Sequence, residues 1–187
     1  MTNIDSDKQK KEQAREWFES LRNRICDKFE VLEDELGDGP LAEEPAGRFE
    51  RKPWTRTDDS GIEGGGGIMA TMKGRVFEKV GVNVSTVFGH FSEEFRQKIP
   101  GAAADGKFWA SGLSLVAHMQ NPFVPAVHMN TRQIITTGKQ WFGGGADMTP
   151  TFEFEKDTKD FHEAFQQACD RPDKNYYPEY KKWCDEY

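Results

Sequence analysis

The chain has 187 residues, a formal net charge of −7 and a mean hydropathy of −0.79, which favours one soluble domain with its own core. No apolar run approaches the ~20 residues that cross a bilayer, and the polar N-terminus lacks the apolar segment of a signal peptide. The acidic balance disfavours nucleic-acid binding, which normally needs a basic patch. We therefore expect a cytoplasmic protein. Any anionic ligand would need a local cluster of arginine or lysine.

The cysteines agree with this expectation. Cys26, Cys169 and Cys184 are far apart and form no C-x-x-C pair. An odd number of cysteines at such spacing argues against a disulfide framework and against a zinc ribbon. The pattern is typical of a protein in a reducing compartment.

The N-terminal part predicts one long helix at residues 8–34, because apolar side chains recur at steps of three and four. Residues 1–11 are expected to be disordered, and residues 37–47 form an exposed connection. Four glycines follow at 64–67. They lack the Lys-Ser/Thr signature of a phosphate-binding loop and precede a strand-like run, so they indicate flexible or closely packed backbone.

The rest of the chain predicts strands at residues 75–88, 108–118, 126–137 and 146–154, the first of them continuous or broken at Gly81. Residues 108–118 and 126–137 are expected to pair as an antiparallel hairpin. Short helices are predicted at 93–98, 158–169 and 179–186. Strands that follow one another, with helices at both ends, indicate an α+β fold with a large antiparallel sheet. We treat residues 1–187 as a single domain.

Three polar residues at alternate positions point to a ligand-binding surface. His128, Asn130 and Arg132 would project from one face of a strand, because side chains alternate with period two. Arg132 is the best candidate for gripping a carboxylate, since its planar guanidinium matches one bidentately. The alternative is a surface arginine with a structural partner.

Neighbouring segments add three further candidates. His118 and Ser114 share one face of the preceding strand, so the predicted hairpin would merge the two polar faces. Asp147 follows three glycines, whose small size lets a ligand or another backbone approach. The alternative for Asp147 is a turn or capping aspartate.

The four histidines allow a metal hypothesis. Three histidines can hold a catalytic metal with an open position, but none of those present stands in a His-Glu-x-x-His motif. The spacing leaves a metal-dependent hydrolase built on His118, His128 and Asp147 open as an alternative. His162 lies beside apolar helix positions and could equally be a core or capping histidine, while His90 has no clear partner.

Several longer motifs occur in a fixed order. They are Gly74-Arg-Val-Phe-Glu-Lys-Val-Gly-Val-Asn83, Gly112-Leu-Ser-Leu-Val-Ala-His118, Asn121-Pro-Phe-Val-Pro125, His128-Met-Asn-Thr-Arg132, Trp141-Phe-Gly-Gly-Gly-Ala-Asp-Met-Thr-Pro150 and Tyr180-Lys-Lys-Trp-Cys-Asp-Glu-Tyr187. Together they closely resemble the oxygen-dependent coproporphyrinogen oxidase family of haem biosynthesis. The resemblance covers residues 12–187.

The resemblance implies a large antiparallel sheet flanked by helices, a homodimer, and a cytosolic location in bacteria. It implies coproporphyrinogen III as substrate and oxidative decarboxylation of the ring A and B propionates to vinyls. The product would be protoporphyrinogen IX, with O2 as oxidant and carbon dioxide and hydrogen peroxide released. No flavin or haem is implied.

The resemblance also assigns roles to residues. It places Ser114, Asn130, Thr131 and Arg132 at the substrate, His128 as a proton donor, Asp147 as an active-site aspartate, and His118, His128 and His162 at a divalent metal, such as Mn²⁺, whose requirement is disputed within the family. The chemistry of the side chains agrees with the first three roles. An arginine suits a substrate with several carboxylates, a carboxylate can anchor or deprotonate a pyrrole N–H, and an imidazole can shuttle protons near neutral pH.

Two departures from the family pattern stand out. Thr131 lies where members usually have Val or Tyr, a change that we expect to be tolerated. Family members also continue beyond Tyr187, so the resemblance implies that a C-terminal part is missing, with a further histidine, more arginines and much of the dimer interface. The alternative function is therefore an inactive fragment that only binds tetrapyrrole or pairs with another chain.

Overall fold

The computed structural model of the chain describes residues 4–57 and 61–186. Its elements are α1 (Ile4–Asp34), β1 (Glu50–Thr57), β2 (Glu63–Met72), β3 (Phe77–His90), α2 (Glu93–Arg96), β4 (Lys107–Met119), β5 (Ala126–Thr136), β6 (Gln140–Thr149), α3 (Glu155–Asp170) and α4 (Tyr176–Glu186). Contacts divide the chain into two compact units, one ending at Thr149 and one beginning at Pro150. Whether residues 1–187 act as a single domain stays a prediction. Among the described helices, none has the length and apolar character needed to cross a bilayer.

The first unit is built on a six-stranded sheet in the order β1-β2-β3-β4-β5-β6. Every strand is antiparallel to its neighbours, as expected when consecutive strands are joined by short connections. The predicted α+β class with a large antiparallel sheet is confirmed, and so is the β4–β5 hairpin.

The structure corrects some of the predicted boundaries. Strand β1 falls in a segment for which the sequence predicted no element, because all its residues are exposed and give no apolar alternation. Strand β3 runs unbroken through Gly81, which confirms the continuous one of the two alternatives predicted there. The three glycines before Asp147 belong to a continuous β6, since ladder pairing with β5 holds them extended. Of residues 1–11, predicted to be disordered, residues 4–11 form the first turns of α1, and residues 1–3 lie outside the described residues.

Helix α1 packs on one face of this sheet. On the helix, Phe18 and Cys26 are each only 1% exposed, and Phe29 stacks on Phe77 of β3 at 4.8 Å between ring centroids. The sheet contributes alternate apolar side chains, namely Ala70, Met72, Val80, Val82, Val84, Leu113, Leu115 and Ala117. Burying each large side chain contributes roughly 1.5–3 kcal/mol. We call the opposite face of the sheet, which α1 does not cover, the polar face.

A buried carboxylate fixes the C-terminal end of α1 to the sheet. Glu33 is 0% exposed and accepts backbone N–H groups of Gly47, Arg75, Val76 and Phe77 at 2.9–3.0 Å. Gly74 must be glycine, because a Cβ there would collide with the carboxylate. Burial by itself raises the pKa of Glu33 and is the largest single effect. The four hydrogen bonds to the charged form together outweigh it and hold the pKa below its usual value.

The second unit consists of α3 and α4. Tyr177 Oη and His162 Nδ1 are hydrogen-bonded at 3.0 Å, and Phe161 packs against Phe165 at 5.0 Å between ring centroids. No described residue of either helix is buried. The Tyr177–His162 hydrogen bond therefore links α4 to α3, while the Phe161–Phe165 pair lies within α3 itself.

We predict that Glu33→Gln lowers the free energy of unfolding by about 2–4 kcal/mol. The four backbone N–H groups would lose their charged acceptor, and the NH2 group of the glutamine would face some of these donors with a donor of its own. The stabilisation by the carboxylate is fully present above its unfolded pKa of about 4.3 and is lost as pH falls through the lower folded pKa. Urea unfolding between pH 3 and 7 measures both effects.

Glu35→Gln is the matched control, since Glu35 is exposed one residue past the end of the same helix. It should change the free energy of unfolding by no more than about 0.5 kcal/mol. Equal effects of the two variants at pH 7 would contradict the anchoring role of Glu33.

Candidate active site

Six of the eight predicted site residues gather on the polar face, near the β6 edge of the sheet. Ser114 of β4 stands directly opposite Asn130 of β5, and His128 stands opposite Asp147 of β6. Residues directly opposite in an antiparallel pair point to the same side of the sheet. The polar faces of the hairpin strands therefore merge, as predicted, and β6 adds Asp147 to them.

A line of hydrogen-bonding groups crosses three strands at one end of this site. His118 Nε2 lies 3.4 Å from His128 Nε2, His128 Nδ1 lies 2.8 Å from Asp147 Oδ1, and the Thr149 hydroxyl donates to the same oxygen at 3.2 Å. An ionised carboxylate can only accept, so His128 donates from Nδ1. In the neutral ring, Nε2 is then left with a lone pair and can receive a proton.

Arg132 lies two residues along β5 from this line. It is exposed, and its Nη2 donates to Asn130 Oδ1 at 2.7 Å. This bond holds one edge of the guanidinium and leaves other N–H donors available. A guanidinium held in this way can receive a carboxylate bidentately without first losing much side-chain freedom.

Glycines surround Arg132 and Asn130 on the neighbouring strands. Arg132 has Gly112 opposite it on β4 and Gly143 opposite it on β6, while Asn130 has Gly145 on β6. A Cβ at Gly112 would lie 2.7 Å from Cβ of Arg132, whereas a Cβ at Gly145 would meet nothing within 4 Å. The site therefore has an open floor of backbone that a flat ligand can approach closely.

Two residues considered from sequence lie elsewhere in the first unit, and a third belongs to the second unit. Thr131 stands opposite Leu113, which is 2% exposed, so its side chain lies on the α1 side of the sheet. His162 belongs to the second unit, where it bonds Tyr177. His90 is exposed at the end of β3. Sequence order places Thr131 between two site residues, but the alternation of a strand separates its side chain from theirs.

The histidine pair can be compared with the geometry of a metal site. Two ligands of a tetrahedral ion, each about 2.1 Å from it, are about 3.4 Å apart, and the Nε2 atoms of His118 and His128 have this separation. The carboxylate on Nδ1 of His128 is typical of a metal-ligating histidine. Among the described residues, however, no three His, Cys, Asp or Glu side chains are grouped as a metal site. The metal site at His118, His128 and His162 stays a prediction.

Sequence reasoning missed two residues of this face. Thr149 contacts Asp147 and follows it by two positions, so the alternation that revealed His128, Asn130 and Arg132 would have found it. Asn83 of β3 stands opposite Ser114, and its Oδ1 is buried without a hydrogen-bond partner among the described residues. Its position depends on the β3–β4 register, which the sequence did not give.

The site is an open face of the sheet. A concavity of about 490 Å³ lies away from it, beside α1, with Trp17 and Phe142 in its lining. The polar face instead presents its groups on a broad surface. This shape suits a large, flat ligand more than a small enclosed one.

Comparison with known proteins gives the family. The description "Coproporphyrinogen III oxidase" belongs to the family profile that matches residues 13–187. A relative from Rickettsia bellii (strain RML369-C) is 52% identical over 180 residues, which are 96% of this chain and 62% of the relative. One from Rickettsia akari (strain Hartford) is 54% identical over 177 residues, 95% of this chain and 61% of the relative. Both are named oxygen-dependent coproporphyrinogen-III oxidase.

The chain therefore belongs to the coproporphyrinogen III oxidase family, as its motifs predicted. It spans about three fifths of the length of the curated relatives it matches. Every candidate site residue lies inside the matched segment.

We predict that Gly112→Ala lowers the free energy of unfolding by about 1–3 kcal/mol, because its methyl group must displace Arg132 or the backbone beneath it. Gly145→Ala is the matched control. It adds the same methyl group in open space, and the free energy of unfolding should stay unchanged or rise by up to about 1 kcal/mol. Urea titrations of both variants measure this, and a Gly112→Ala protein as stable as the control would refute the close contact.

Proposed function

We propose that this chain carries the substrate site of an oxygen-dependent coproporphyrinogen III oxidase. One observation supports this most. The hydrogen-bonding groups of His118, His128 and Asp147 lie in a line beside Arg132, on a part of the sheet where glycines leave the backbone open. This arrangement combines proton-transfer groups with an anion clamp on a surface wide enough for a tetrapyrrole. The relatives named for this activity match 95–96% of this chain.

The proposed reaction converts the ring A and ring B propionates to vinyls. In each conversion the propionate loses its carboxylate as carbon dioxide. The carbon attached to the ring loses one hydrogen together with two electrons. The vinyl double bond forms between the two remaining carbons. The hydrogen and its two electrons pass to O2, which takes up one further proton and leaves as hydrogen peroxide. Coproporphyrinogen III thereby becomes protoporphyrinogen IX.

Arg132 is assigned to a propionate of the substrate. The net charge of −7 repels an anion at long range, so a local cation must hold each carboxylate. Asn130 fixes the guanidinium through the 2.7 Å bond, and Ser114, directly opposite Asn130, supplies a further hydroxyl. If Thr131 contributes to binding, it does so through its backbone, because its side chain faces away.

Asp147 and His128 are assigned to the movement of protons. The hydrogen bonds from His128 and Thr149 to the Asp147 carboxylate both use Oδ1, so Oδ2 can accept a pyrrole N–H of the substrate or take its proton. The same carboxylate orients His128 so that Nε2 faces His118 and the open surface. His128 then delivers the proton that O2 requires, and His118 can pass on its replacement.

No organic cofactor is proposed, and O2 is the co-substrate. A divalent ion, such as Mn²⁺, would be held by Nε2 of His118 and of His128, with His162 as the further ligand that the family resemblance implies. Such an ion would supply Lewis-acid polarisation of a bound oxygen ligand. The proton-relay and metal roles of His128 compete for the same nitrogen, so a test with chelator separates them.

The remaining proposals concern partners and location. We propose a homodimer in the cytoplasm, as the family resemblance implies for bacterial members. The acidic composition and the three scattered cysteines are compatible with both. Sedimentation at several protein concentrations tests the dimer, and a constant monomer mass would oppose it.

A second candidate function is a fragment that binds tetrapyrrole without turning it over, or that only pairs with another chain. The observation that favours it is coverage, because about two fifths of each relative's length has no counterpart in this chain. Substrate groups supplied by that part in the relatives would be absent here. Binding and turnover must therefore be measured separately.

We predict that the purified 187-residue chain, incubated aerobically with coproporphyrinogen III, forms protoporphyrinogen that is detectable as porphyrin by fluorescence and chromatography. Arg132→Ala and Asp147→Asn should each lower the rate at least about a hundredfold, because one removes the clamp and the other the proton acceptor. A parallel reaction with chelator reports on the metal.

The outcomes separate the two candidate functions. Product that is lost in both variants supports the oxidase, and insensitivity to chelator supports the proton-relay role of His128. A folded chain that binds coproporphyrin III without forming product supports the second candidate function, a fragment that binds tetrapyrrole without turning it over. A folded chain that does neither refutes the substrate site.

A second prediction tests where the substrate lies. Gly145→Val should weaken coproporphyrin III binding at least about tenfold, because the side chain fills the space above the floor where a macrocycle would rest. Thr131→Val is the control and should leave the dissociation constant within about twofold, since its side chain faces α1. Fluorescence titration measures the dissociation constants of both variants. Weaker binding in the Thr131 variant alone would contradict the assignment of the substrate to the polar face.

A further inference from the structure

Strand β1 carries a basic and aromatic segment to which no role has been given so far. Lys52-Pro-Trp-Thr-Arg56 lies in a chain with a net charge of −7, and every residue of β1 is exposed. Trp54 keeps 40% of its surface exposed. A large aromatic side chain beside cations on an open surface is typical of a binding site more than of a packing contact.

The register places this segment on the polar face. Trp54 pairs with Gly67 of β2, and a Cβ at Gly67 would lie 3.1 Å from the indole Nε1 of Trp54. Arg51, the neighbour of Lys52, pairs with the fully buried Ala70 and therefore points to the α1 side. Trp54 and Lys52 thus point to the same side of the sheet as Arg132.

Two transverse rows connect β1 to the candidate active site. One row runs from Trp54 through Gly67, Ser85 and Gly112 to Arg132, and the other from Lys52 through Met69, Asn83 and Ser114 to Asn130. The first row has only glycine and serine between its ends. The floor at Arg132 therefore continues as a shallow trough across the sheet and ends at the indole of Trp54.

The width of this trough suits the proposed substrate. Four strand spacings of about 4.8 Å place the backbones of β1 and β5 roughly 19 Å apart. Lys52 and Arg132 stand on the same face of the sheet, on the strands at the two ends of this distance. The distance is comparable to a tetrapyrrole macrocycle with extended propionates.

Lys52 is available for an external carboxylate. Its nearest acidic partner is Glu50 at 3.7 Å, and the two side chains are 68% and 77% exposed. An ion pair with this exposure contributes little, so a substrate carboxylate can replace it at small cost.

We propose that Lys52 and Trp54 form a second wall of the substrate site, opposite a first wall that Arg132 forms. Lys52 binds a propionate on the side of the macrocycle opposite Arg132, and Trp54 packs against the macrocycle where it crosses Gly67. The two walls together select a tetrapyrrole with carboxylates on opposite sides. This assignment rests on the proposed function, because it needs the tetrapyrrole to lie on the polar face.

The test is a fluorescence titration of the 187-residue chain with coproporphyrin III, which keeps the four carboxylates and is stable in air. Trp54→Ala should weaken binding about tenfold, and Trp54→Phe less, because an aromatic ring is kept. Lys52→Gln should weaken it about three- to fivefold and reduce its dependence on salt. With the tetramethyl ester of coproporphyrin III, the Lys52→Gln effect should vanish, since no carboxylate remains.

Arg51→Gln is the matched control, because it removes a cation from the adjacent position on the other side of the same strand. Thermal unfolding first shows that the Arg51→Gln and Lys52→Gln variants are both folded. Arg51→Gln should then leave the dissociation constant for coproporphyrin III within about twofold of the wild-type value. Binding that Arg132→Ala weakens but that the Lys52 and Trp54 variants leave unchanged would overturn the second wall and leave the proposed function standing. A folded wild-type chain that binds no coproporphyrin III would overturn both.

Discussion

The architecture of the first unit depends on the burial of one charge. The Glu33 carboxylate is removed from water and accepts four backbone N–H groups, three of them from the turn that leads into β3. Arg75, in the same turn, donates to the backbone carbonyls of Glu33 and Ala42. These bonds can form only when the end of α1 lies against that turn. They therefore determine which face of the sheet the helix covers and which face it leaves for a ligand.

Strand register then decides the function of each residue. In β4, Leu113 and Leu115 fill the core beneath α1, while Ser114 between them faces the other side. A slip of one residue in pairing would send Arg132 towards the core and Leu113 towards water, at a cost of several buried side chains. The apolar contacts with α1 thereby fix the register that keeps the polar residues of neighbouring strands opposite one another, although the core residues and the polar residues lie on different faces of the sheet.

The sequence predicted what depends on local periodicity and could not predict what depends on register. His128, Asn130 and Arg132 were found by their alternation, and the hairpin brought Ser114 to them. The same alternation places the side chain of Thr131 on the α1 side of the sheet, although family resemblance groups it with its neighbours. Strand β1 escaped prediction because neither of its faces is buried. The row from Trp54 to Arg132 requires four consecutive strand pairings, and no single segment contains that information.

The two edges of the sheet differ in their capacity to accept another strand. Strand β1 carries Pro53, which has no N–H to donate, between charged residues that resist the approach of a second edge. Strand β6 carries three consecutive glycines and no charge before Asp147, so a backbone can approach it along most of its length. Within the first unit, β6 is therefore the edge whose sequence suits a further strand, and such a strand would border the positions of Asp147 and Thr149.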